Sequence, residues 1–357
     1  MKGWSRQRRD LSSSLLGLIV ALLVGLLAAW AFGYAALDGY QALGRYAFGS
    51  WSKTGFTLSN AVPLLLTAMS AAIAFGSGPV NLGQPGQVLM GALFATVGGL
   101  TVSLPSFLQI PLLLLLSFAG GALWAGVAAL FKRRFGMDEF IVTLMLNEIA
   151  RLFTDWVIGS PLRDPSAGSV TTKAIHRSGF LPKFGALNLS VPIGLIFLIL
   201  GTFAVHRLVL GYEWRMAGTA PVFARLGGVP IEANFTKVLC FSGGLAGTAG
   251  GVLLMSGPHR FLKGLGGNFG WDGVMIAVVA ANALLGVLLY ALVFSALQTG
   301  AVGMEIRADI PQEFIQILQA LIVLVTVAVR GGVRDMLTRT ASRNTARLSA
   351  RRSNFLE

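Results

Sequence analysis

The sequence predicts an all-α integral membrane protein with about ten transmembrane helices, and three observations support this fold class. The 357 residues are 54% hydrophobic and only 12% charged, with a mean hydropathy of +0.71, and so little polar surface could not cover a water-soluble fold. Apolar runs of membrane-crossing length recur along the chain. The net charge of +13 comes largely from basic residues in the short connections between these runs, which is typical of orientation signals and predicts no nucleic-acid partner.

The first predicted span covers residues 11–37, an uncharged run that is longer than the ~7–15 residues of a signal-peptide core. We therefore expect it to be retained. The other predicted spans lie roughly at 58–76, 87–104, 109–131, 140–158, 190–208, 235–256, 273–285, 287–301 and 312–329. Together they predict one transmembrane domain over residues 1–330, followed by a basic tail, 331–357, that we expect to be disordered and held near anionic membrane lipid.

The distribution of lysine and arginine predicts that both termini are cytoplasmic. Alternating sides from an inner N-terminus places the basic start, the 132–134 cluster, the basic residues of 207–237 and the tail on one side. For this parity to hold, the apolar run 273–301 must cross twice. We expect it to break near Asn282 to Gly286 into two short helices of about 13 and 15 residues, each too short to cross a ~30 Å hydrocarbon core.

Residues 77–87, SGPVNLGQPGQ, predict another break in an apolar stretch. Unwound backbone at membrane depth persists only where it is buried in protein or lines a cavity, and transporters build their pathways at such breaks. Candidate pathway residues are therefore the amides of the two breaks, Asn81, Gln84, Gln87 and Asn282. The stretches beginning at Asn81 and Asn282 are also loosely alike, as an inverted repeat requires.

The predicted span 140–158 contains three charged residues, Glu148, Arg151 and Asp155, at a spacing that places them on one helix face. Charges within a membrane are costly and are expected to face the protein interior. Two interpretations stay open: an ion-pair ladder that holds helices together, or a contact with the transported solute or a gate. Asn147 and Glu148 are the pathway candidates here.

Other polar and small-residue patterns lie on later spans. Gln312, Gln316 and Gln319 form a stripe directed toward a pathway or a partner helix, with Gln316 as the pathway candidate. The glycines at 243, 247 and 251 predict close helix packing. Residues 160–190 form the longest polar connection, which predicts either an outer docking surface for a binding protein or a solvated loop.

The polar insert 211–230, GYEWRMAGTAPVFARLGGVP, predicts a short helix outside the membrane. Pro221 suits the first helical turn, Thr219 can act as the N-cap, and the glycines at 227–228 end the helix. Val222, Phe223 and Leu226 fall on one face. A helix of about two turns is marginal alone, so this apolar face must contact either a partner or the membrane surface.

This insert, together with four other segments, resembles permease subunits of bacterial ABC importers of the branched-chain amino acid, simple sugar and nucleoside class. One of the four is 268–286, which is similar to the family's Gly-Phe-Asp-Gly-Ile-Ala segment but keeps only Asn282 of the Gly-Arg-Asn that often follows. The stretch from Asn81 to Gln87 is similar to the family's NxGxxGQ signature, with Pro85 where a glutamate is usual in the nucleoside branch. The segment 138–147 resembles that branch most closely, because an acidic pair leads a Thr-x-Met-Leu-Asn helix. Residues 310–332 are similar to the family's final helix.

The resemblance implies that the insert is a coupling helix that docks on a separate ATPase subunit. The residues implied in coupling are Arg215, Gly218, Pro221, Phe223, Ala224, Arg225 and Gly228. It also implies a second permease subunit, a paralogue by the precedent of the nucleoside branch, an extracytoplasmic binding protein, and a place in the bacterial inner membrane. The chain contains no G-x-x-x-x-G-K-[ST] motif, so ATP hydrolysis is expected on the partner, and we predict no catalytic residue and no cofactor.

Two alternatives stay open from sequence. One is a self-contained secondary transporter or channel that uses Glu148, Arg151 and Asp155 as a relay. The other concerns the solute, since nucleoside and simple sugar are both compatible with the resemblance. The three histidines lie far apart without metal-binding spacing, so no metal site is predicted, and Cys240 is expected to be a packed thiol.

Overall fold

The structure, a computed structural model, describes residues 2–330, with side chains from residue 16 onward. Helices α1 to α6 span Lys2–Ala31, Ala36–Phe48, Trp51–Gly76, Gln84–Thr101, Ser106–Phe135 and Glu139–Gly159. Helices α7 to α13 span Ser190–Arg207, Val209–Thr219, Pro221–Leu226, Ile231–Ser256, Phe269–Val279, Leu284–Ala308 and Glu313–Arg330. A 3-10 turn, Arg177–Gly179, and an antiparallel hairpin of β1 (Lys183–Phe184) and β2 (Leu187–Asn188) lie between α6 and α7.

The all-α membrane fold is confirmed. Within the described residues, six helices are long and apolar enough to cross a membrane: α3, α5, α7, α10, α12 and α13. Residues Leu16–Ala31 and α11 are shorter apolar helices, and with α4 and α6 these elements coincide with the predicted runs. The predicted tail, 331–357, lies outside the described residues.

Contacts divide the chain into two units, Met1–Tyr40 with Met304–Glu357, and Gln41–Gly303. In the described part of the first unit, α1 packs closely on α13, with Gly17 against Thr326. The Tyr40 hydroxyl donates a hydrogen bond of 3.0 Å to the carbonyl of Leu22.

Helix α10 is the central helix of the second unit. In the 18-residue apolar stretch of α10, 83% of the residues are buried, whereas 22% are buried in the corresponding stretch of α7. The predicted glycine stripe explains how neighbours approach so closely: Gly247 lies against the Ser117 carbonyl and the backbone of Gly121 on α5, and its own carbonyl meets Gly91 on α4. The packing role predicted for this stripe is confirmed.

Replacing Gly247 with valine should therefore prevent most of the protein from folding. A Cβ at this position would contact the Ser117 carbonyl and lie 2.8 Å from the Gly121 Cα, and backbone atoms cannot move aside as a side chain can, so we expect a loss above the ~1–3 kcal/mol typical of overpacking. The measurement is the yield of monodisperse protein after detergent extraction. Gly44→Val is the control, since a Cβ there meets nothing within 4 Å; equal yields of the two variants would contradict the prediction.

The helix break that was predicted near Asn282 to Gly286 is present, but it covers residues 280–283 and is therefore shorter and begins earlier. Helix α11 ends at Val279 and α12 begins at Leu284, and Ala281 and Asn282 adopt left-handed backbone with φ of 53° and 60°. The expectation of two short helices is wrong for α12, which has 25 residues. Sequence reasoning ended this span before Glu305 and Arg307, whereas the helix continues through both to Ala308.

The counterpart of the first break is the start of α11 and not the stretch from Asn282. The pattern Asn-x-Gly-x-x-Gly occurs at Asn81 to Gly86 and again at Asn268 to Gly273, and each copy begins a helix that follows a 26-residue helix, α3 or α10. The two helix starts meet, since a Cβ at Gly270 would lie 2.5 Å from the nitrogen of Pro85. This pairing supports an internal repeat.

Candidate functional site

Helix α9 begins and ends where the sequence predicts. It starts at Pro221 and ends at Leu226, where the Gly227 amide donates 3.0 Å to the Phe223 carbonyl and Gly228 has a φ of +80°. The predicted N-cap is wrong. Thr219 is the last residue of α8 and its hydroxyl donates to the Arg215 carbonyl at 2.7 Å, so Ala220 precedes the helix without a side-chain cap.

The apolar face of α9 points away from the described chain. Val222, Phe223 and Leu226 are 75%, 65% and 84% exposed. Ala224 is buried at 2%, so it anchors the helix instead of presenting a contact surface. A helix of six residues is marginally stable alone, and three large exposed apolar side chains on it form a patch that marks an interaction surface. We call these three residues the α9 face.

Helix α8, which directly precedes α9 in the chain, is fixed to α10. Its Trp214 is buried and packs against Phe241 of α10 with ring centroids 5.5 Å apart, and Asn234 of α10 donates 3.0 Å to the Glu213 carboxylate. Among the described residues, the Arg215 side chain bonds within α8, where its Nε donates to the Gly211 carbonyl at 3.2 Å.

The α8–α9 segment also touches the polar break. A Cβ at Gly218 would lie 2.6 Å from the Ser77 carbonyl carbon and 2.8 Å from the Gly78 nitrogen. Only glycine permits this approach. The contact connects the insert to the residues between α3 and α4. Of the other predicted coupling residues, Pro221, Arg225 and Gly228 are exposed near the α9 face.

Asn81 and Gln87 bond to each other inside the protein core. Both are buried, and the Gln87 amide donates 2.9 Å to Asn81 Oδ1 while Asn81 Nδ2 donates 3.2 Å to Gln87 Oε1. Asn81 also donates 2.8 Å to the Ser242 hydroxyl of α10, which donates 2.9 Å to the Ser70 carbonyl of α3. The structure thus gives these amides a role in holding the break, which differs from the open pathway that the sequence suggests.

Asn147 of α6 clamps the same break from the other side. Its Oδ1 accepts the Gly86 amide at 2.9 Å and its Nδ2 donates to the Leu82 carbonyl at 2.8 Å. These bonds replace the helical partners that unwound backbone lacks. Gln84 is different, because it is fully buried and neither of its amide atoms has a hydrogen-bond partner among the described residues.

The charged residues of α6 lie on its exposed face. The side chains of Glu148, Arg151 and Asp155 are 66%, 52% and 25% exposed. Arg151 pairs with Glu148 at 2.7 Å and with Asp155 at 3.9 Å, all along one helix. The expectation that these charges face the interior is therefore wrong for the described chain, and so is the idea that they tie α6 to another of its helices.

The remaining pathway candidates, Asn282 and Gln316, lie in other parts of the fold, and each is described within its own unit. Asn282 lies in the turn between α11 and α12, half-buried, 4.0 Å from where a Cβ of Gly76 would be. Gln316 is exposed, and Gln312 is exposed and donates to the Glu305 carboxylate, whereas Gln319 is buried. The predicted glutamine stripe is therefore divided between two environments.

Sequence reasoning missed the role of Asp272. This carboxylate is buried at the start of α11 and accepts 2.7 Å from Gln298 Nε2 of α12, whose Oε1 accepts 3.4 Å from Asn60 of α3. The signal was available, because Asp272 is the lone acidic residue in the apolar stretch 269–301. Across the described residues no group of three or more His, Cys, Asp or Glu side chains could hold a metal.

The segment between α6 and α7 is folded onto the end of α10 and does not form a plain loop. The amides of Thr172, Ile175 and Leu181 donate to the carbonyls of Phe261, His259 and Met255 at 2.9, 2.9 and 3.0 Å. The rings of Phe180 and His259 stack with centroids 3.7 Å apart. Desolvation lowers the pKa of His259, assisted by the charge of Lys183, which favours the neutral ring in this stack.

The outer surface of this segment is basic. Lys173, Arg177, Lys183 and Lys263 are exposed. Asp164 accepts hydrogen bonds from the hydroxyl and amide of Ser166, and these bonds lower the pKa of its carboxyl. We call the segment 160–189 with residues 257–263 the outer cap, after the side of the membrane on which the sequence predicts it to lie.

Comparison with known proteins gives consistent matches over most of the chain. Residues 54–327 match the family model described as "Branched-chain amino acid transport system / permease component". The guanosine ABC transporter permease protein NupP of Bacillus subtilis is 31% identical over 316 residues, 87% of this chain and 91% of that protein. The nucleoside ABC transporter permease protein NupB of Lactococcus lactis is 29% identical over 93% of this chain and 94% of its own length. The glucose ABC transporter permease protein TsgB13 of Haloferax volcanii is 26% identical over 87% and 85%.

Proposed function

Because this chain belongs to the family of permease components of branched-chain amino acid transport systems, and is thus the non-catalytic membrane subunit of an ABC importer, we propose that the α9 face docks on the importer's ATPase. The observation that carries this proposal is the exposure of Val222, Phe223 and Leu226 on a helix anchored through Ala224. An interface core needs such apolar anchors.

In this mechanism the ATPase moves α8 and α9 together. Trp214 and Glu213 connect α8 to α10, and Gly218 touches Ser77 and Gly78. Closure of the ATPase on ATP would therefore displace the end of α3 and the break that Asn81, Gln87 and Asn147 hold. The site residues predicted from sequence act here in two groups, with 215–228 transmitting the movement and the amides of 81–87 receiving it.

The solute that we propose is a nucleoside, with a simple sugar as the second candidate. NupP and NupB are both more similar to this chain than TsgB13 is, at 31% and 29% against 26% identity. The nucleoside branch usually has a glutamate where this chain has Pro85. Because of this difference, the experiment below also tests a simple sugar as the solute.

Uptake by cells that express the whole importer tests the solute. We expect accumulation of radiolabelled guanosine that is lost on deletion of this chain's gene, and at least tenfold weaker competition by unlabelled glucose than by unlabelled nucleosides, since one unmatched polar contact costs about 1.4 kcal/mol or more. If glucose accumulation depends on the gene and no nucleoside is taken up, the proposed nucleoside is wrong and the solute is a simple sugar.

We further propose a second permease subunit that is a paralogue of this chain, and a binding protein that docks on the outer cap. The exposed basic residues of the outer cap suit an acidic partner surface. The membrane is the bacterial inner membrane, with both termini and α9 cytoplasmic, residues 1–330 forming the permease domain and 331–357 the basic tail.

A further inference from the structure

A buried carboxylate and two amides meet where helices α3, α11 and α12 come together. Asp272 of α11 is 4% exposed and accepts a hydrogen bond of 2.7 Å from Gln298 Nε2 of α12. Gln298 Oε1 in turn accepts a hydrogen bond of 3.4 Å from Asn60 Nδ2 of α3. We call these three side chains the Asp272 cluster, and all of them belong to the unit Gln41–Gly303.

Helix packing does not explain why this cluster contains a carboxylate. The ion pairs of the described residues do not include Asp272, and a buried charge without a counter-ion is costly. An asparagine at this position could accept the same bond from Gln298, because its side-chain carbonyl is also an acceptor. The start of α11 favours a negative charge in its first turn. An ionisable group retained inside an apolar stretch indicates a function.

The two amides form the accessible edge of the cluster. Gln298 and Asn60 are partly buried, whereas the Asp272 carboxylate is almost fully buried. A hydroxyl group that enters at this edge can replace Gln298 Nε2 as the donor to the carboxylate. The released Gln298 amide and the Asn60 amide can then donate to, or accept from, a neighbouring hydroxyl.

A second polar group without a partner lies where α11 meets α4. Gly270, two residues before Asp272, approaches α4 so closely that a Cβ on it would lie 2.5 Å from the Pro85 nitrogen. The residue before Pro85 is Gln84, which is fully buried and has no hydrogen-bond partner for either amide atom among the described residues. A buried amide in this condition is costly, so it indicates a partner that is not part of the chain.

We infer that the Asp272 cluster binds hydroxyl groups on adjacent carbons of the transported solute. This subsite, which rests on the proposed function, suits the ribose of a nucleoside and the ring of a simple sugar, because both carry such hydroxyls. Hydrogen bonds to a charged acceptor are stronger than those to an amide. Asp272 therefore determines most of the preference for a hydroxylated solute, while Gln298 and Asn60 orient it.

Uptake of guanosine and of 2′,3′-dideoxyguanosine by cells that express the whole importer tests this subsite. Asp272→Asn removes the charge and keeps an oxygen that can accept from Gln298. The initial uptake rate of each solute is normalised to the amount of this chain in the membrane and compared with the wild type. We expect guanosine uptake to fall about tenfold and dideoxyguanosine uptake to change by less than about twofold, because only guanosine loses a hydrogen bond to a charged group.

Two results would overturn the subsite while the proposed function stands. An equal loss for both solutes would assign Asp272 to packing, and unchanged uptake of both would show that no hydroxyl bonds to it. If the importer takes up glucose and not guanosine, Asp272→Asn should lower the uptake of glucose more than that of 2-deoxyglucose, and equal effects would overturn the subsite. If uptake of neither guanosine nor glucose depends on this chain's gene, the proposed solute class fails together with the subsite.

Asp38→Asn is the matched control. Asp38 also lies in the first turn of a helix, α2, and its side chain is exposed. We expect normal uptake of both solutes, and a loss specific to guanosine in this variant would contradict the assignment to Asp272.

Asn60→Leu tests the subsite without changing the buried charge. It removes an amide at the accessible edge and keeps the bond between Gln298 and Asp272. We expect guanosine uptake to fall about threefold or more while dideoxyguanosine uptake stays near the wild-type rate, since one hydrogen bond to a hydroxyl is lost. Undiminished guanosine uptake would overturn the role of the amide edge in the subsite.

Discussion

Replacing Phe223 and Leu226 together with glutamate is expected to reduce ATP-driven uptake by at least ~100-fold, because central apolar anchors of an interface each contribute about 2 kcal/mol or more. Both side chains are more than half exposed, at 65% and 84%, so the protein should still fold and insert. The measurement is initial uptake normalised to the amount of this chain in the membrane.

Phe135→Glu is the matched control for this experiment. Phe135 ends α5, is 67% exposed, and undergoes the same change of side chain. We expect near-normal uptake for it. Normal uptake by the Phe223/Leu226 variant, or an equal loss by Phe135→Glu, would contradict docking through the α9 face. Ala224 is unsuitable for the test because it is buried, and a bulky charge there would disturb the seat of the helix.

Replacing Gln87 with methionine is expected to lower the apparent melting temperature of the detergent-purified protein by roughly 5 °C, since each of the two buried hydrogen bonds that Gln87 shares with Asn81 contributes about 1 kcal/mol. Gln87 donates to and accepts from Asn81, and both residues are buried. The measurement is thermal unfolding followed by a fluorescent thiol dye or by loss of the monodisperse peak.

Gln84→Met is the matched variant, because it makes the same substitution three residues away. Gln84 is equally buried, but neither of its amide atoms has a partner among the described residues. Removing an unpaired buried amide should leave stability unchanged or raise it. A loss of stability at Gln84 equal to that at Gln87 would contradict the assigned hydrogen-bond network.

Local signals in the sequence were sufficient for the elements that depend on local chemistry. Pro221 and the glycine pair at 227–228 specify where α9 starts and stops, and the prolines and glycines of 77–87 specify a break. The glycine spacing on α10 likewise predicted close packing. In each case the backbone preference of the residue itself decides the structure.

The direction in which a side chain faces could not be predicted from the sequence in the same way. The spacing of Glu148, Arg151 and Asp155 shows that they share a face, but only packing shows that this face is the exposed one. Gln84 and Gln87 look equivalent in sequence, whereas among the described residues only the Gln87 amide has a hydrogen-bond partner. Sequence comparison also matched the stretch from Asn81 with the stretch from Asn282, whereas the structural counterpart is 268–273. The similar apolar composition after Asn282 obscured the Asn-x-Gly-x-x-Gly pattern at 268–273.

The most direct measurement of the central claim is the amount of ATPase that copurifies with this chain from its own cell in mild detergent, for the wild type and for the Phe223→Glu, Leu226→Glu variant. We predict that the wild type retains the ATPase and a second permease, and that the variant retains the second permease but loses the ATPase. Equal recovery of the ATPase with both proteins would contradict the claim that the α9 face is the docking surface.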